Sequence, residues 1–297
     1  MQFPMRKRAR LIYNPSSGKE AMRQHLPEIL DILELAGLET SCHMTKGSED
    51  TIQAAMQAAE DRFDYVIAAG GDGTVNEVVN GLAQAEKRPV LGILPAGTSN
   101  DLAGALGLPR DLLEAAHQLT RFQIRPLDVG QANGQFFINI AGCGRLTEIT
   151  YEVPSKLKTA LGQLAYYMKG LEKIPQLRDI HLEVEAENFG FSGKAMLCLI
   201  MNSRRVGGFE NLVPDAKMDD GLLDVIIVKQ STIPDIIRLA TQALRGEHIH
   251  SNRVIHFQAD RLTVRSREHV DLNLDGEHGG TLPAEFVVLR HHLQVLA

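Results

Sequence analysis

The sequence predicts a protein of two domains, a parallel α/β domain followed by a β-sandwich. In the first part, apolar runs of strand length alternate with segments whose apolar residues recur at helical spacing, which is typical of a parallel sheet covered by helices. After about residue 125, strand-like runs dominate and several alternate between apolar and polar residues. The length of 297 residues suits two domains. We expect the first to span 1–125, with about 285–297 returning to it, and the second to span 126–284.

The composition is ordinary for a globular protein and argues against several functional classes. Hydrophobic residues make up 44% of the chain, charged residues 23%, and the net charge is −6 with no tryptophan. These values do not favour nucleic-acid binding. No apolar run approaches the roughly 20 residues of a membrane-spanning helix, and no secretory signal is visible. We expect the thiols of Cys42 and Cys198 to be buried and reduced in a cytoplasmic protein.

The first strand, at 9–13, ends in a turn whose hydroxyl, amide and backbone N–H groups can hold an anion. This turn consists of Asn14, Pro15, Ser16, Ser17 and Gly18. An amphipathic helix follows and ends at Gly37. Residues 38–44 then form a second strand, which is followed by Thr45 and another helix.

A glycine-rich turn follows the buried strand predicted at 65–69 and precedes a helix with valines at helical spacing. The turn consists of Gly70, Gly71, Asp72, Gly73, Thr74, Val75 and Asn76. Glycines at such a turn let a phosphate approach the N–H groups of a helix N-terminus. A carboxylate among phosphates indicates an intervening divalent metal. The alternative is a tight structural turn with a capping acid, and the residues match neither a Rossmann fingerprint nor a Walker A loop.

A third polar loop, 95–101, follows the strand predicted at 90–94. In it, Thr98 and Asn100 can donate hydrogen bonds, and Asp101 can join Asp72 near a metal. An ordinary capped helix start, with Ser99 or Asn100 as the cap, is the alternative. Because ligands bind at the carboxyl ends of parallel strands, we expect the three polar loops to converge at one edge of the sheet.

The second domain is predicted to be an antiparallel β-sandwich interrupted by helices at about 155–173 and 232–245. Its predicted strands are 127–131, 135–141, 180–186, 195–202, 222–228, 254–257, 262–264 and 270–274.

Two acidic segments of this domain have both a functional and a structural interpretation. In 271–277, Asp275 and Glu277 face one cleft if the segment stays extended, and a rigidly placed carboxylate is a suitable general base. Asp-Gly at 275–276 is also a strong hairpin signal. In 215–222, adjacent acids before a glycine can hold a divalent ion, although a hairpin turn explains them equally well.

At this point the sequence resembles the bacterial diacylglycerol kinase-like lipid kinases, which share a catalytic domain with diacylglycerol and sphingosine kinases and a fold with NAD kinases. The resemblance covers nearly the whole chain. Its motifs are NPSSG at 14–18, GGDGTVNEV at 70–78, PAGTSNDLA at 95–103, DDGLLDV at 219–225 and LDGE at 274–277. One departure is at 145–147, where Arg-Leu-Thr replaces the usual aromatic or apolar residue and acid.

The resemblance implies an ATP site formed by the loops 14–18 and 70–76, Thr45 and Thr98. It implies that Asp72 and Asp101 lie near a catalytic Mg²⁺, that Glu277 is the base, and that Asp275 and Asp128 are supporting acids. A second, structural Mg²⁺ is implied at the loop that contains Lys217, Asp220 and Leu222, with a carboxylate from Asp220 and carbonyls from the other two.

The implied function is transfer of a phosphate from MgATP to a hydroxyl of diacylglycerol or a related lipid. Two alternatives remain open: a kinase for a small soluble acceptor, as in NAD kinase, and a non-catalytic nucleotide or lipid sensor. The expected partners are a lipid at the inner membrane surface and, in a homodimer, a second copy of the chain.

Overall fold

The computed structural model describes residues 6–144, 179–207, 209–210, 212–243 and 245–297. These residues belong to two units, Met1–Leu127 with His291–Ala297, and Asp128–Arg290. The helix predicted at 155–173 and the departure at 145–147 lie outside the described residues. Among the residues that are described, no helix has both the length and the apolar character needed to span a membrane.

The first unit contains a parallel sheet flanked by helices. Its elements are β1 (Lys7–Tyr13), α1 (Ala21–Leu35), β2 (Leu38–Met44), α2 (Ser48–Glu60), β3 (Tyr65–Gly70), α3 (Asp72–Ala83), β4 (Val90–Pro95), α4 (Asp101–Ala105) and α5 (Leu112–Leu119). The strand order is β2-β1-β3-β4, with all pairs parallel. Every residue of β3 is buried, as its apolar run predicts.

The second unit consists mainly of antiparallel strands. Its elements are β5 (Ile124–Ala132), β6 (Gln135–Phe137), β7 (Ile140–Cys143), β8 (Ile180–Ala186), β9 (Phe189–Met201), β10 (Leu223–Lys229), α6 (Ile233–Ala243), β11 (Val254–Ala259), β12 (Arg261–Ser266), β13 (Asp271–Leu274), β14 (Glu277–Thr281) and β15 (Ala284–Leu296). β5 and β15 contribute residues to both units, and Val295 at the end of β15 pairs in parallel with Leu91 of β4.

The long strand β9 organises the second unit. Its first half pairs with β8, and its second half pairs with β7 on one side and β10 on the other. A strand shared in this way between two sets of antiparallel partners is typical of a β-sandwich. The core of the second unit is apolar and includes Phe137, Ile200 and Phe286. The predicted fold class is therefore confirmed.

Two local predictions were wrong. The strand predicted at 135–141 is divided into β6 and β7, because the amide groups at 138–140 bond to a side chain instead of to a neighbouring strand. Cys42 is exposed, whereas Cys143 and Cys198 are buried. Within the described residues β2 pairs only with β1, so it is an edge strand with partly solvated side chains.

Candidate functional site

In the first unit, the loops after β1, β3 and β4 meet at the end of β3. The backbone N–H of Asn14 donates to the carbonyl oxygen of Ala69 (3.0 Å), and that of Ala96 donates to the carbonyl oxygen of Gly70 (2.8 Å). These strands are parallel, so their carboxyl ends share one edge of the sheet. The predicted convergence of the three polar loops is confirmed.

The three loops are in van der Waals contact at glycines. A Cβ atom on Gly18, whose φ is +58°, would lie 2.4 Å from the carbonyl oxygen of Ala96. One on Gly97 would lie 2.5 Å from the Cα atom of Gly71. At Gly73, by contrast, an added Cβ atom would meet no described atom within 4 Å apart from its chain neighbours and the nearby backbone of α3, so the N-terminal turn of α3 is open to a ligand.

Some of the side chains predicted to bind a nucleotide are exposed, and others are buried. Asn14 Oδ1 accepts hydrogen bonds from the backbone N–H (3.0 Å) and the hydroxyl (2.8 Å) of Ser16, which shapes the first loop. The hydroxyls of Ser16 and Thr98 are on exposed residues, whereas Thr45 and Thr74 are buried. The other predicted nucleotide-binding residues on these loops are Pro15, Ser17, Gly70, Val75 and Asn76.

Asp72 and Asp101 come from different loops and are brought together. The carboxylate of Asp72 accepts hydrogen bonds from the backbone N–H groups of Asn100 (2.8 Å) and Asp101 (2.5 Å). Asp72 therefore caps the N-terminus of α4, whereas the structural alternative considered for this loop had Ser99 or Asn100 as the cap. Burial and, to a smaller extent, the charge of Asp101 raise the pKa of Asp72.

Asn100 holds the loop before α4 in place. Its backbone is in the left-handed region, with φ 51° and ψ 52°, and it makes no side-chain cap bond to α4. Its Oδ1 accepts from the N–H of Gly97 (2.8 Å), and its Nδ2 donates to the carbonyl oxygen of the same residue (2.9 Å). Asparagine tolerates this conformation better than most residues do, so it suits a loop that closes on itself.

In the second unit, Asp275 and Gly276 form a two-residue hairpin turn between β13 and β14, with φ values of 49° and 99°. Of the two interpretations of 271–277, the hairpin turn is the one that the structure contains, and the extended segment was wrong. The carboxylate of Asp275 accepts from three successive backbone N–H groups, those of Ile138 (2.6 Å), Asn139 (2.9 Å) and Ile140 (2.8 Å). Glu277 begins β14 as an exposed residue, so the two acids do not share one environment.

The loop predicted to hold a structural metal is built around Asp128. The backbone N–H of Gly221 donates to the buried carboxylate of Asp128 (2.7 Å), and the N–H of Leu222 donates to Asp220 (3.0 Å). Burial raises the pKa of Asp220, as do the negative charges of Asp224 and Asp128, whereas Lys217 lowers it. The loop is thus an anionic environment in which a cation is favourable.

Neither acidic site contains a complete set of metal-binding side chains. In the part of the chain that the structure describes, no group of three or more His, Cys, Asp and Glu residues is placed to hold a metal. Any Mg²⁺ at Asp72 or Asp220 therefore needs carbonyl, phosphate or water oxygens as further ligands. Mg²⁺ in kinases commonly has such a mixed coordination shell.

Asn202, which directly follows β9, was not among the predicted site residues. Its Nδ2 group donates to the carbonyl oxygens of Asp128 (2.9 Å) and Ile138 (3.0 Å). It thereby connects Asp128, which also binds the N–H of Gly221, with the segment that holds Asp275. The available signal was a carboxamide directly after a long apolar run, where asparagine is unfavourable.

Comparisons with known proteins cover nearly the whole chain. Residues 8–132 match the family model of the diacylglycerol kinase catalytic domain, and residues 148–297 match that of the YegS C-terminal NAD kinase beta sandwich-like domain. A diacylglycerol kinase of Bacillus subtilis (strain 168) is 54% identical over 98% of this chain and 96% of its own length. One from Staphylococcus carnosus (strain TM300) is 44% identical over 98% and 95%, respectively.

Solved structures agree with the fold. Two crystal structures of proteins from Bacillus anthracis str. Sterne superpose with TM-scores of 0.84 and 0.77, and each is 28% identical to this chain. Each alignment covers 99% of this chain and 98% of the other. The second of these proteins is named a diacylglycerol kinase.

Proposed function

The chain belongs to the diacylglycerol kinase catalytic-domain family and is a lipid kinase, and on this basis we propose that it transfers the γ-phosphate of ATP to a hydroxyl of diacylglycerol or a closely related lipid. The observation that carries the proposal is the 54% identity to a diacylglycerol kinase over almost the full length of both chains. Such an acceptor resides in a membrane, so the reaction would take place at a membrane surface. Because ATP is the donor, we propose the cytoplasmic surface.

The converging loops of the first unit are the proposed nucleotide site. Backbone N–H groups at the open turn around Gly73 would bind phosphate oxygens at the N-terminus of α3. The hydroxyl of the exposed residue Thr98 adds a hydrogen-bond donor, whereas that of Ser16 already donates to Asn14 Oδ1. Phosphoryl transfer depends mainly on alignment and charge neutralisation, and preorganised backbone donors contribute to both.

The carboxylates of Asp72 and Asp101 are suited to Mg²⁺. They are close enough for the charge of Asp101 to raise the pKa of Asp72, which is the electrostatic situation that a cation relieves. When bound, Mg²⁺ neutralises charge on the transferred phosphate. Asp220, with the carbonyls of Lys217 and Leu222, is the proposed site of a second, structural Mg²⁺, which the anionic surroundings of Asp220 support.

Glu277 is the proposed general base that accepts the proton of the lipid hydroxyl. It is exposed and directly follows a turn that is held by hydrogen bonds on both sides, since the Gly276 N–H donates to Asn273 Oδ1 (2.8 Å) and the Asp275 N–H donates to Ile140 (2.9 Å). A base on a rigid turn keeps its position while remaining accessible to an acceptor. Asp275 would support Glu277 through the turn, because its carboxylate holds the N–H groups of Ile138, Asn139 and Ile140.

Labelled ATP and a panel of dispersed lipids test the function. We expect label to enter diacylglycerol or a related glycerolipid. Glu277→Gln should lower kcat by about 100- to 10,000-fold and leave ATP binding unchanged, because a general base contributes to that extent. Glu285→Gln, at an exposed carboxylate paired with Arg261, is the matched control and should retain activity. Label in a soluble acceptor alone, or tight ATP binding without any product, would favour the NAD kinase-like or sensor function instead.

A further inference from the structure

Asn202 joins two segments of the second unit, one of which contacts the turn that precedes Glu277. Its Nδ2 group donates to the carbonyl oxygens of Asp128 (2.9 Å) and Ile138 (3.0 Å). Carbonyl oxygens only accept hydrogen bonds, so both partners require the amino end of the carboxamide. Asn202 is 1% exposed, and water does not compete for either bond.

Asp128 is a fixed point at one end of this connection. It is fully buried, its backbone N–H donates to the carbonyl oxygen of Met218 (2.7 Å), and its carboxylate accepts from the N–H of Gly221 (2.7 Å). Asn202 therefore ties Ile138 to a part of the unit that is anchored independently.

Ile138 leads to the base at the other end. Its N–H is the first of the three successive donors to the Asp275 carboxylate, followed by those of Asn139 and Ile140. Asp275 begins the two-residue turn whose next strand starts at Glu277. We therefore expect a shift of Ile138 to disturb its contact with Asp275, which begins the turn before Glu277.

The two ends of the Asn202 carboxamide differ in their contacts: Nδ2 donates two hydrogen bonds, whereas Oδ1 accepts none from the described residues. We infer that this position requires the N–H donors. Among the described residues, Asn202 Oδ1 and Asn139 Oδ1 are buried without a hydrogen-bond partner. Burying an unsatisfied carbonyl oxygen is unfavourable. A leucine of similar volume would fill the same space without that penalty, but it would remove both hydrogen bonds that Asn202 Nδ2 donates to Asp128 and Ile138.

We propose that Asn202 is a positioning residue for the transfer reaction: it fixes the Ile138–Asp275 contact and thereby the place of Glu277. The role rests on the proposed function of Glu277 as the base. Because Asn202 is 1% exposed, its side chain is not accessible to a reactant, so its removal should lower kcat and leave the KM for ATP unchanged.

The first test needs no turnover. Hydrogen exchange at the amides of Ile138, Asn139 and Ile140 is measured in the wild type, in Asn202→Ala and in Val264→Ala, a control that truncates a fully buried core residue of β12. We expect Asn202→Ala to lose protection at these amides beyond its general loss of stability, and Val264→Ala to lose none selectively. Unchanged protection in Asn202→Ala overturns the proposal. If Asn202→Ala does not fold, Asp275→Asn tests the same contact from its other end.

The second test is a double-mutant cycle with Glu277→Gln, read as kcat at saturating ATP. We expect Asn202→Ala to lower kcat by up to about 100-fold in the wild-type background, the scale of a small misplacement of a reacting group. In the Glu277→Gln background it should have little further effect. An equal loss in both backgrounds overturns the positioning role. If the wild type phosphorylates no lipid while Asn202→Ala still loses protection, the proposed function fails and the structural role of Asn202 does not.

Discussion

The backbone N–H of Asp101 donates a hydrogen bond of 2.5 Å to the carboxylate of Asp72, so that two acidic residues from separate loops are held side by side. Burial raises the pKa of Asp72, and the charge of Asp101 raises it further. In a partly buried site, two neighbouring carboxylates are unfavourable without a cation and favourable with one. This arrangement should therefore be visible in how stability depends on pH and on Mg²⁺.

For the metal-free protein, we predict that Asp72 makes the free energy of unfolding fall as pH rises. A raised pKa means that the folded state binds the Asp72 proton more tightly than the unfolded chain does. Its contribution to stability is complete below the ordinary aspartate pKa of about 3.9 and is lost as pH rises through the folded-state pKa. Urea unfolding at a series of pH values should show a shallower decline for Asp72→Asn than for the wild type.

Mg²⁺ and an exposed acid provide the controls for this prediction. Millimolar Mg²⁺ should reduce the difference in stability between wild type and Asp72→Asn. Asp31→Asn, a change at an exposed residue of α1, should respond to Mg²⁺ as the wild type does. We also expect kcat of Asp72→Asn to fall by about 100-fold or more, as when a charge-stabilising group is removed. If the free energy of unfolding depends on pH in the same way in wild type and Asp72→Asn, the unfavourable pairing of Asp72 with Asp101 is ruled out.

Gly73 and Gly97 should respond differently to alanine. At Gly97 the new methyl group would lie 2.5 Å from Gly71 Cα, so Gly97→Ala should destabilise the fold by about 1–3 kcal/mol. At Gly73 it meets no described atom within 4 Å, and the helical position should gain about 0.4–1 kcal/mol from alanine. If phosphates bind at this turn, Gly73→Ala should nevertheless raise the KM for ATP.

Denaturant unfolding and ATP titration of both variants separate folding from binding. A Gly73→Ala protein that is as stable as the wild type but binds ATP more weakly supports the site at the α3 N-terminus. Unchanged ATP affinity in that variant would move the phosphates away from this turn.

Features governed by local pattern could be predicted from the sequence. The run 65–69 contains no charged residue, and all of β3 is buried. Because parallel strands end at one edge, the meeting of Asp72 with Asp101 followed from the strand assignments alone. The sequence pattern does not reveal that the Asp72 carboxylate would bond to backbone N–H groups, since those donors are freed only when α4 begins there.

Contacts between distant segments could not be predicted. Asp275 bonds to Ile138 across 137 residues of sequence, and no local pattern near either residue indicates the other. β14 was missed because Glu277–Thr281 lacks the apolar alternation that marks a strand. Cys42 does lie in a strand, as expected, but its exposure follows from the edge position of β2, which is not visible from one strand alone.

Cys42 should be the one thiol among the three that reacts in the native protein. It is exposed, whereas Cys143 and Cys198 are buried and lie opposite each other on β7 and β9. Partial burial raises the pKa of Cys42, so its alkylation rate should still increase with pH above the ordinary thiol value of about 8.5. Mass spectrometry after iodoacetamide treatment should find a single label, which Cys42→Ser removes. Rapid labelling of Cys143 or Cys198 without unfolding would contradict the burial of these two thiols on the paired strands β7 and β9.

Removal of Asp220 should abolish stabilisation of the second unit by Mg²⁺. Asp72→Asn serves as the parent protein, because it should remove most of the Mg²⁺ binding in the first unit. In this parent, Mg²⁺ at 100 times the dissociation constant of the second-unit site should stabilise the protein by about 2.7 kcal/mol. Because burial and nearby carboxylates raise the pKa of Asp220, protons compete with the metal, and this stabilisation should decline as pH falls through that pKa. Asp220→Asn should lose it at every pH, whereas Asp219→Asn, a change at the neighbouring residue, should retain most of it. Thermal unfolding in the presence of Mg²⁺ and of EDTA measures this stabilisation in each variant. If Mg²⁺ stabilises Asp220→Asn as much as it stabilises its parent, the cation binds elsewhere.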